Sequence, residues 1–129
     1  MNRPKYGNRK YYFGGSTLDS KLERDRYIFL MEQESKGVIS GLRRQVEYEL
    51  VPSQKETRTV HLKTKDKEVE YVVEKAVRYK ADFVYVVDGR TVIEDTKGFK
   101  TKDYIIKRKL MRLQGNPIRE VKKATEPII

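Results

Sequence analysis

The chain has 129 residues, 37% hydrophobic and 37% charged, and its 29 Lys+Arg against 19 Asp+Glu give a formal net charge of +10. That length suits one domain around a single core, and the basic excess points to a polyanionic partner, nucleic acid ahead of a membrane surface. With no cysteine and one histidine, disulfides, thiol catalysis, cysteine-ligated zinc and histidine triads are excluded; with no 18-residue apolar run, signal-peptide core or lipidation signal, a soluble cytoplasmic protein is expected.

Residues 1–15 read as a basic arm, in which Arg3, Lys5, Arg9 and Lys10 interleave with Tyr6, Tyr11 and Tyr12. Such a stretch can follow a phosphate backbone and stack on bases, though a solvated terminus has the same composition. Gly14-Gly15 marks a turn. Ser20 with Glu23 three residues on forms a capping box that opens a helix to about Glu34, stopping at Gly37. Leu22, Tyr27, Ile28, Phe29, Leu30 and Met31 supply its buried face. Glu23, Tyr27 and Leu30 share one stripe, so Glu23 either bonds back to the Ser20 amide or reaches the sheet as an acidic group; spacing alone favours the cap.

Arg43 to Val51 alternates, with Val46, Tyr48 and Leu50 on one face and Gln45, Glu47 and Glu49 on the other, and Pro52 ends the strand. Ser53 to Glu68 is highly charged. Thr59 to Lys63 and Val69 to Glu74 predict a second hairpin turning near Lys65-Asp66, with His61 as a solvated strand residue. Ala76 to Val87 and Arg90 to Thr96 flank Asp88-Gly89, a strong short-range hairpin signal. After Gly98, Thr101 caps a helix to about Gln114, with Ile106, Leu110 and Leu113 inward. Gly115-Asn116-Pro117 closes it, and Ile118 to Val121 adds an edge strand. This order predicts an α/β or α+β fold with a mixed sheet covered on both faces.

The central hairpin carries the chemistry. A two-residue loop with Val87 opposite Arg90 brings Val84 opposite Ile93 and Asp82 opposite Asp95. Alternation then puts Lys97 on the face of Asp95 and Glu94 on the other. Opposed carboxylates repel unless a positive charge lies between them, and oxygen-only ligands suit Mg²⁺ or Mn²⁺. With Lys97 beside such an ion, the arrangement suits metal-assisted phosphodiester hydrolysis. The plainer reading is a pair of hairpin-flanking aspartates and a strand-end lysine. Lys102, Lys107, Arg108, Lys109 and Arg112 follow on the second helix, where cations could hold neighbouring phosphates. No P-loop and no dinucleotide glycine fingerprint is present.

Five segments follow in this order, Lys5-Tyr6-Gly7-Asn8-Arg9-Lys10, Leu18-Asp19-Ser20-Lys21-Leu22-Glu23, Gln45-Val46-Glu47-Tyr48-Glu49-Leu50, Tyr79-Lys80-Ala81-Asp82-Phe83-Val84-Tyr85 and Glu94-Asp95-Thr96-Lys97-Gly98, and the resemblance they carry extends over nearly the whole chain. Together they resemble the PD-(D/E)xK nuclease superfamily, and within it a small phage-encoded family long treated as a domain of unknown function. The resemblance implies a restriction-endonuclease-like core in which Asp82 and Asp95 bind Mg²⁺ and Lys97 is the catalytic lysine. It implies that Glu23 completes the acidic cluster, as in related Holliday-junction resolvases, and that Gln45 lines the site. The sequence departs from the pattern in a longer Ser53 to Tyr71 stretch and in Ala81 standing where the superfamily has its proline.

The resulting expectation is a Mg²⁺-dependent endodeoxyribonuclease acting on branched or replication and recombination DNA in a host cytoplasm. Resolvases usually act as symmetric dimers, so a homodimer belongs to that expectation, although no sequence feature specifies its interface. Arg9, Lys10, Gln45, Lys102, Lys107, Arg108 and Arg112 are the expected nucleic-acid contacts. The alternative is a non-catalytic nucleic-acid-binding protein with a vestigial nuclease site.

Overall fold

The computed structural model describes residues 11–13, 16–18 and 20–129, with side chains from residue 20 onward. In chain order the elements are β1 (Tyr11–Phe13), β2 (Ser16–Leu18), α1 (Lys21–Ser35), β3 (Ser40–Val51), β4 (Gln54–His61), β5 (Asp66–Glu74), β6 (Val77–Val87), β7 (Arg90–Thr96), α2 (Lys102–Leu113) and β8 (Ile118–Val121). The fold is α+β, with a mixed central sheet in the order β3-β6-β7-β8 and two further two-stranded sheets, β1-β2 and β4-β5. The chain, read from its length as one domain, divides into two compact units. One comprises Met1–Val46 with Lys80–Ile129, and the other Glu47–Tyr79. Most of the basic arm, Arg9 and Lys10 included, lies outside the described residues.

Turn chemistry sets the central hairpin. Asp88 and Gly89 both take positive φ, 48° and 77°, as a two-residue turn matched to the strand twist requires. Val87 then pairs with Arg90, Val86 with Thr91, Val84 with Ile93 and Phe83 with Glu94, the register expected from the sequence. β8 adds to β7 in parallel, with Asp95 opposite Glu120. Helix ends follow their caps. Ser20 Oγ accepts from the Glu23 amide at 3.0 Å and Thr101 Oγ1 from the Tyr104 amide at 3.1 Å, satisfying amides that have no helical partner.

In the first unit Leu30, Ile39, Phe83, Tyr85 and Val87 form a buried cluster, flanked by Tyr27, Phe29, Leu42, Val92 and Ile128. The Tyr27 and Phe83 rings stack at 5.9 Å. Val84 and Ile93, on the opposite face of the hairpin, are buried too. Both faces are therefore covered, as the two-sided apolar pattern predicts.

Three expectations are corrected. The inward face of α2 is Tyr104 with Met111, whereas Ile106 and Leu113 are 58% and 83% exposed and Leu110 is half-buried. At 100° per residue Ile106 lies 200° around the helix from Tyr104, so the two cannot share a face. Tyr104 takes the inward position because its hydroxyl finds an acceptor there, Glu120 at 2.8 Å. On α1, Arg26 is buried and Ile28 exposed, because the Arg26 guanidinium has a carboxylate waiting for it. Its Nε and Nη2 donate to Glu94 at 2.8 and 2.6 Å, and its Nη1 donates to the Ala124 and Glu126 carbonyls at 3.0 and 2.5 Å. The Tyr85 hydroxyl also donates to Glu94.

The third correction lies in the second unit. The β4-β5 hairpin pairs His61 with Asp66 and turns through 62–65, closed by a Leu62 to Lys65 backbone bond of 2.9 Å. It is longer than expected and turns earlier than Lys65-Asp66. The His61 side chain is exposed, 2.8 Å from Asp66.

Candidate functional site

The hairpin pairing ends at Phe83 with Glu94, and Asp82 and Asp95 are the next residue of each strand beyond it. Asp82 Oδ2 accepts from both the backbone amide and the hydroxyl of Thr96, each at 2.8 Å, which ties the start of this pair to the strand opposite. Asp95 is buried. The Lys97 ammonium lies 3.4 Å from Asp95 Oδ1, on the same side of β7 as alternation requires. The expected triad of Asp82, Asp95 and Lys97 thus occupies the open end of the hairpin.

Glu23 joins it from α1. Its carboxylate is buried, accepts from Gln45 Nε2 at 2.8 Å and lies 3.8 Å from Arg44 Nη2. Spacing favoured a cap for this side chain; the fold directs its carboxylate to β3. Arg44 is steadied by the Tyr27 ring, 4.9 Å away. Gln45 takes φ +52°, a left-handed conformation uncommon for a side chain of this kind. That twist breaks the β3 alternation, leaving Arg44, Gln45 and Val46 all half-buried.

The electrostatics tie these acids into one neighbourhood. Burial, then the charges of Asp95 and Glu23, push the Asp82 carboxyl up to about 7, against the pull of the two Thr96 bonds. An acid whose proton affinity is raised by neighbouring carboxylates sits amid crowded negative charge, and a cation relieves that crowding. Among the described residues no three His, Cys, Asp or Glu side chains close into a ready cage. The donor chemistry still fits Mg²⁺ or Mn²⁺, since Mg²⁺ takes one or two carboxylates and keeps several waters. Asp82 and Asp95 are the residues suited to hold it, with Glu23 alongside.

The remaining expected residues fall differently. Lys102, Lys109 and Arg112 are exposed on α2. Lys107 lies 3.4 Å from Asp103, and Arg108 3.2 Å from Glu120, so both are engaged by acids within the chain. Thr96, Tyr104, Arg44 and Glu120 were not anticipated. Thr96 alone was legible, since it sits between Asp95 and Lys97; the others depend on packing between elements.

Fold and site together define an α+β protein in which buried Asp95, half-buried Asp82 and Lys97 lie at one end of a central hairpin, with buried Glu23 on α1. The chain belongs to the family described as Protein of unknown function (DUF1064), whose model matches residues 3–125. Comparisons with curated proteins and with solved structures each return no match. Among the described residues no helix is long and apolar enough to cross a membrane.

Proposed function

We propose that this protein is a metal-dependent DNA endonuclease of the PD-(D/E)xK type, phage-encoded and acting on branched or replication and recombination DNA in the host cytoplasm. The observation that carries the reading is the Lys97 ammonium 3.4 Å from buried Asp95, with the charges of Asp95 and Glu23 both felt at Asp82. Asp82 and Asp95 would hold Mg²⁺ or Mn²⁺, whose chemistry when bound is to polarise a phosphoryl oxygen and make water a better nucleophile. Lys97 neutralises charge developing on the phosphate or orients the attacking water. Hydrolysis forms a bond from the water oxygen to phosphorus and breaks the bond to the 3′ oxygen, leaving a 5′-phosphate. Gln45 fixes the Glu23 carboxylate so that it does not drift from the cluster.

Exposed Lys102, Lys109 and Arg112 offer cations to flanking phosphates. Phe99, 79% exposed in the loop after Lys97, offers a ring to an unpaired base, which suits a branched substrate. A homodimer would pair two cuts.

A second reading is a nucleic-acid-binding protein whose acids are vestigial. What favours it is that no three acidic side chains close on one point among the described residues. Purified protein incubated with linear, flapped and four-way DNA, with Mg²⁺, Mn²⁺ or a chelator, separates the two on a denaturing gel. The endonuclease cuts only with metal, and Asp82→Asn, Asp95→Asn and Lys97→Ala abolish cutting while DNA retention persists. Salt-sensitive retention without cleavage under either ion supports the second reading. Nicking retained in all three variants overturns the assignment of the site.

A further inference from the structure

Lys97 follows the last residue of β7, where a four-carbon side chain beside a loop has many rotamers to choose from. Its backbone is held, since the Lys97 amide donates to the Val121 carbonyl of β8 at 3.2 Å. Its ammonium is held as well. Besides Asp95 at 3.4 Å, it meets the Tyr104 ring, 4.6 Å from the centroid. The face of an aromatic ring is electron-rich and attracts a cation within about 6 Å of its centroid. The ammonium therefore has a carboxylate and a π face as its neighbours.

Tyr104 is itself fixed. Its backbone is pinned by the Thr101 cap, its ring is buried in the inward face of α2, and its hydroxyl donates to Glu120 Oε2 at 2.8 Å. Glu120 lies directly opposite Asp95 in the parallel pairing of β7 and β8. It is steadied in turn by Lys100 at 3.1 Å and Arg108 at 3.2 Å. Burial, the Glu120 bond and the nearby Asp95 charge hold the Tyr104 hydroxyl protonated far above the ordinary tyrosine range. It remains a neutral donor at every working pH, so the anchor does not lapse.

We infer that Tyr104, anchored by Glu120, is a positioning residue that holds the Lys97 ammonium against Asp95. The inference rests on the nuclease reading for its catalytic consequence and on geometry alone for the contact. It gives β8 and α2 a part in the site: Glu120 sets the ring, the ring sets the ammonium, and neither touches substrate. Lys100 and Arg108 then serve first as the supports of Glu120.

The test has two arms. In metal-free protein the Lys97 ε-methylene protons, assigned by their loss in Lys97→Arg, are expected to show an upfield ring-current shift. Tyr104→Leu removes that shift, Tyr104→Phe keeps it, and Glu120→Gln reduces it. In single-turnover cleavage with Mg²⁺, Tyr104→Leu lowers the rate by about tenfold or more with DNA Kd unchanged, since small misplacements cost up to ~10²-fold. Tyr104→Phe, which keeps the ring and loses only the anchor, falls by about two- to threefold. A folded Tyr104→Leu with the Lys97 shift intact overturns the inference, as does a loss seen only in Kd. Should Tyr104→Leu fail to fold, the Glu120→Gln shift and the Tyr104→Phe cleavage rate carry the test, and wild-type values for both overturn it. Wild-type protein that cuts no DNA overturns the nuclease reading, while the ring-current arm still decides the contact.

Discussion

Arg26 of α1 and Glu94 of β7 form a two-bond ion pair, at 2.8 and 2.6 Å, with both side chains wholly withdrawn from solvent. Glu94 is the immediate neighbour of Asp95, and strand alternation sends the two carboxylates to opposite faces of the sheet. One acid is thereby neutralised by a buried arginine, and the other is left for the site. Arg26 also bonds the carbonyls of Ala124 and Glu126, and Arg119 bonds that of Pro127 at 2.5 Å. The pair thus ties the catalytic strand of the proposed site to α1 and to the C-terminal segment.

Breaking that pair leaves Arg26 buried without its carboxylate, or Glu94 with only Arg119 at 3.4 Å and the Tyr85 hydroxyl. Arg26→Ala and Glu94→Ala are each expected to destabilise the fold by ~3–5 kcal/mol, read from urea unfolding midpoints. Loss below about 1 kcal/mol for both would mean that the pair is not buried as described.

Asp82 makes stability depend on pH in a direction of its own. Its folded pKa, about 7, lies above the unfolded value of ~3.9, so the folded chain binds the proton more tightly. Its contribution is full below pH ~4 and is lost as pH rises toward 7, a change on the order of a few kcal/mol. Metal-free wild type is therefore expected to lose Tm relative to Asp82→Asn across that window, and Mg²⁺ to restore more Tm at pH 8 than at pH 5. Thermal scans of both proteins check this; parallel curves would refute it.

Gln45 inverts the usual ranking of alanine and glycine. Both substitutions remove the bond to Glu23, but only glycine relieves the φ of +52°. Gln45→Gly is expected to be more stable than Gln45→Ala by ~1–2 kcal/mol. Both are expected to cut DNA more slowly than wild type. Chemical denaturation and cleavage rates measure the two effects separately.

If the proposed DNA contacts hold, the exposed cations on α2 are expected to set the salt dependence of DNA retention. The double variant Lys102→Ala with Arg112→Ala is expected to lower the slope of log K against log salt by about two, close to 0.9 per lost phosphate contact. Fluorescence anisotropy between ~50 and ~200 mM salt reads it. An unchanged slope would place the DNA elsewhere on the chain.

Much of the fold was legible because it is local. Ser20, Thr101, Gly37 and Gly115 mark the ends of both helices, and Asp88-Gly89 sets a register that runs from Val87 with Arg90 to Phe83 with Glu94. The faces of the helices were harder. Ile106 and Leu113 have the right chemistry for a core and are exposed, while Arg26 has the wrong chemistry and is buried. Hydropathy ranks single residues, whereas burial of a polar group depends on whether a partner is there to meet it.

The sequence by itself therefore determined the basic charge, the helix caps, the central hairpin and the placing of two aspartates and a lysine at one end, since each follows from neighbours a few residues apart. Tertiary structure alone decided that Arg26 meets Glu94 across 68 residues, that Glu23 turns to Gln45, and that Tyr104 lies beneath the Lys97 ammonium. Those pairings come from elements brought together by core packing. The physical reason they hold is that a buried charge or hydroxyl is stable only where the fold supplies its counterpart.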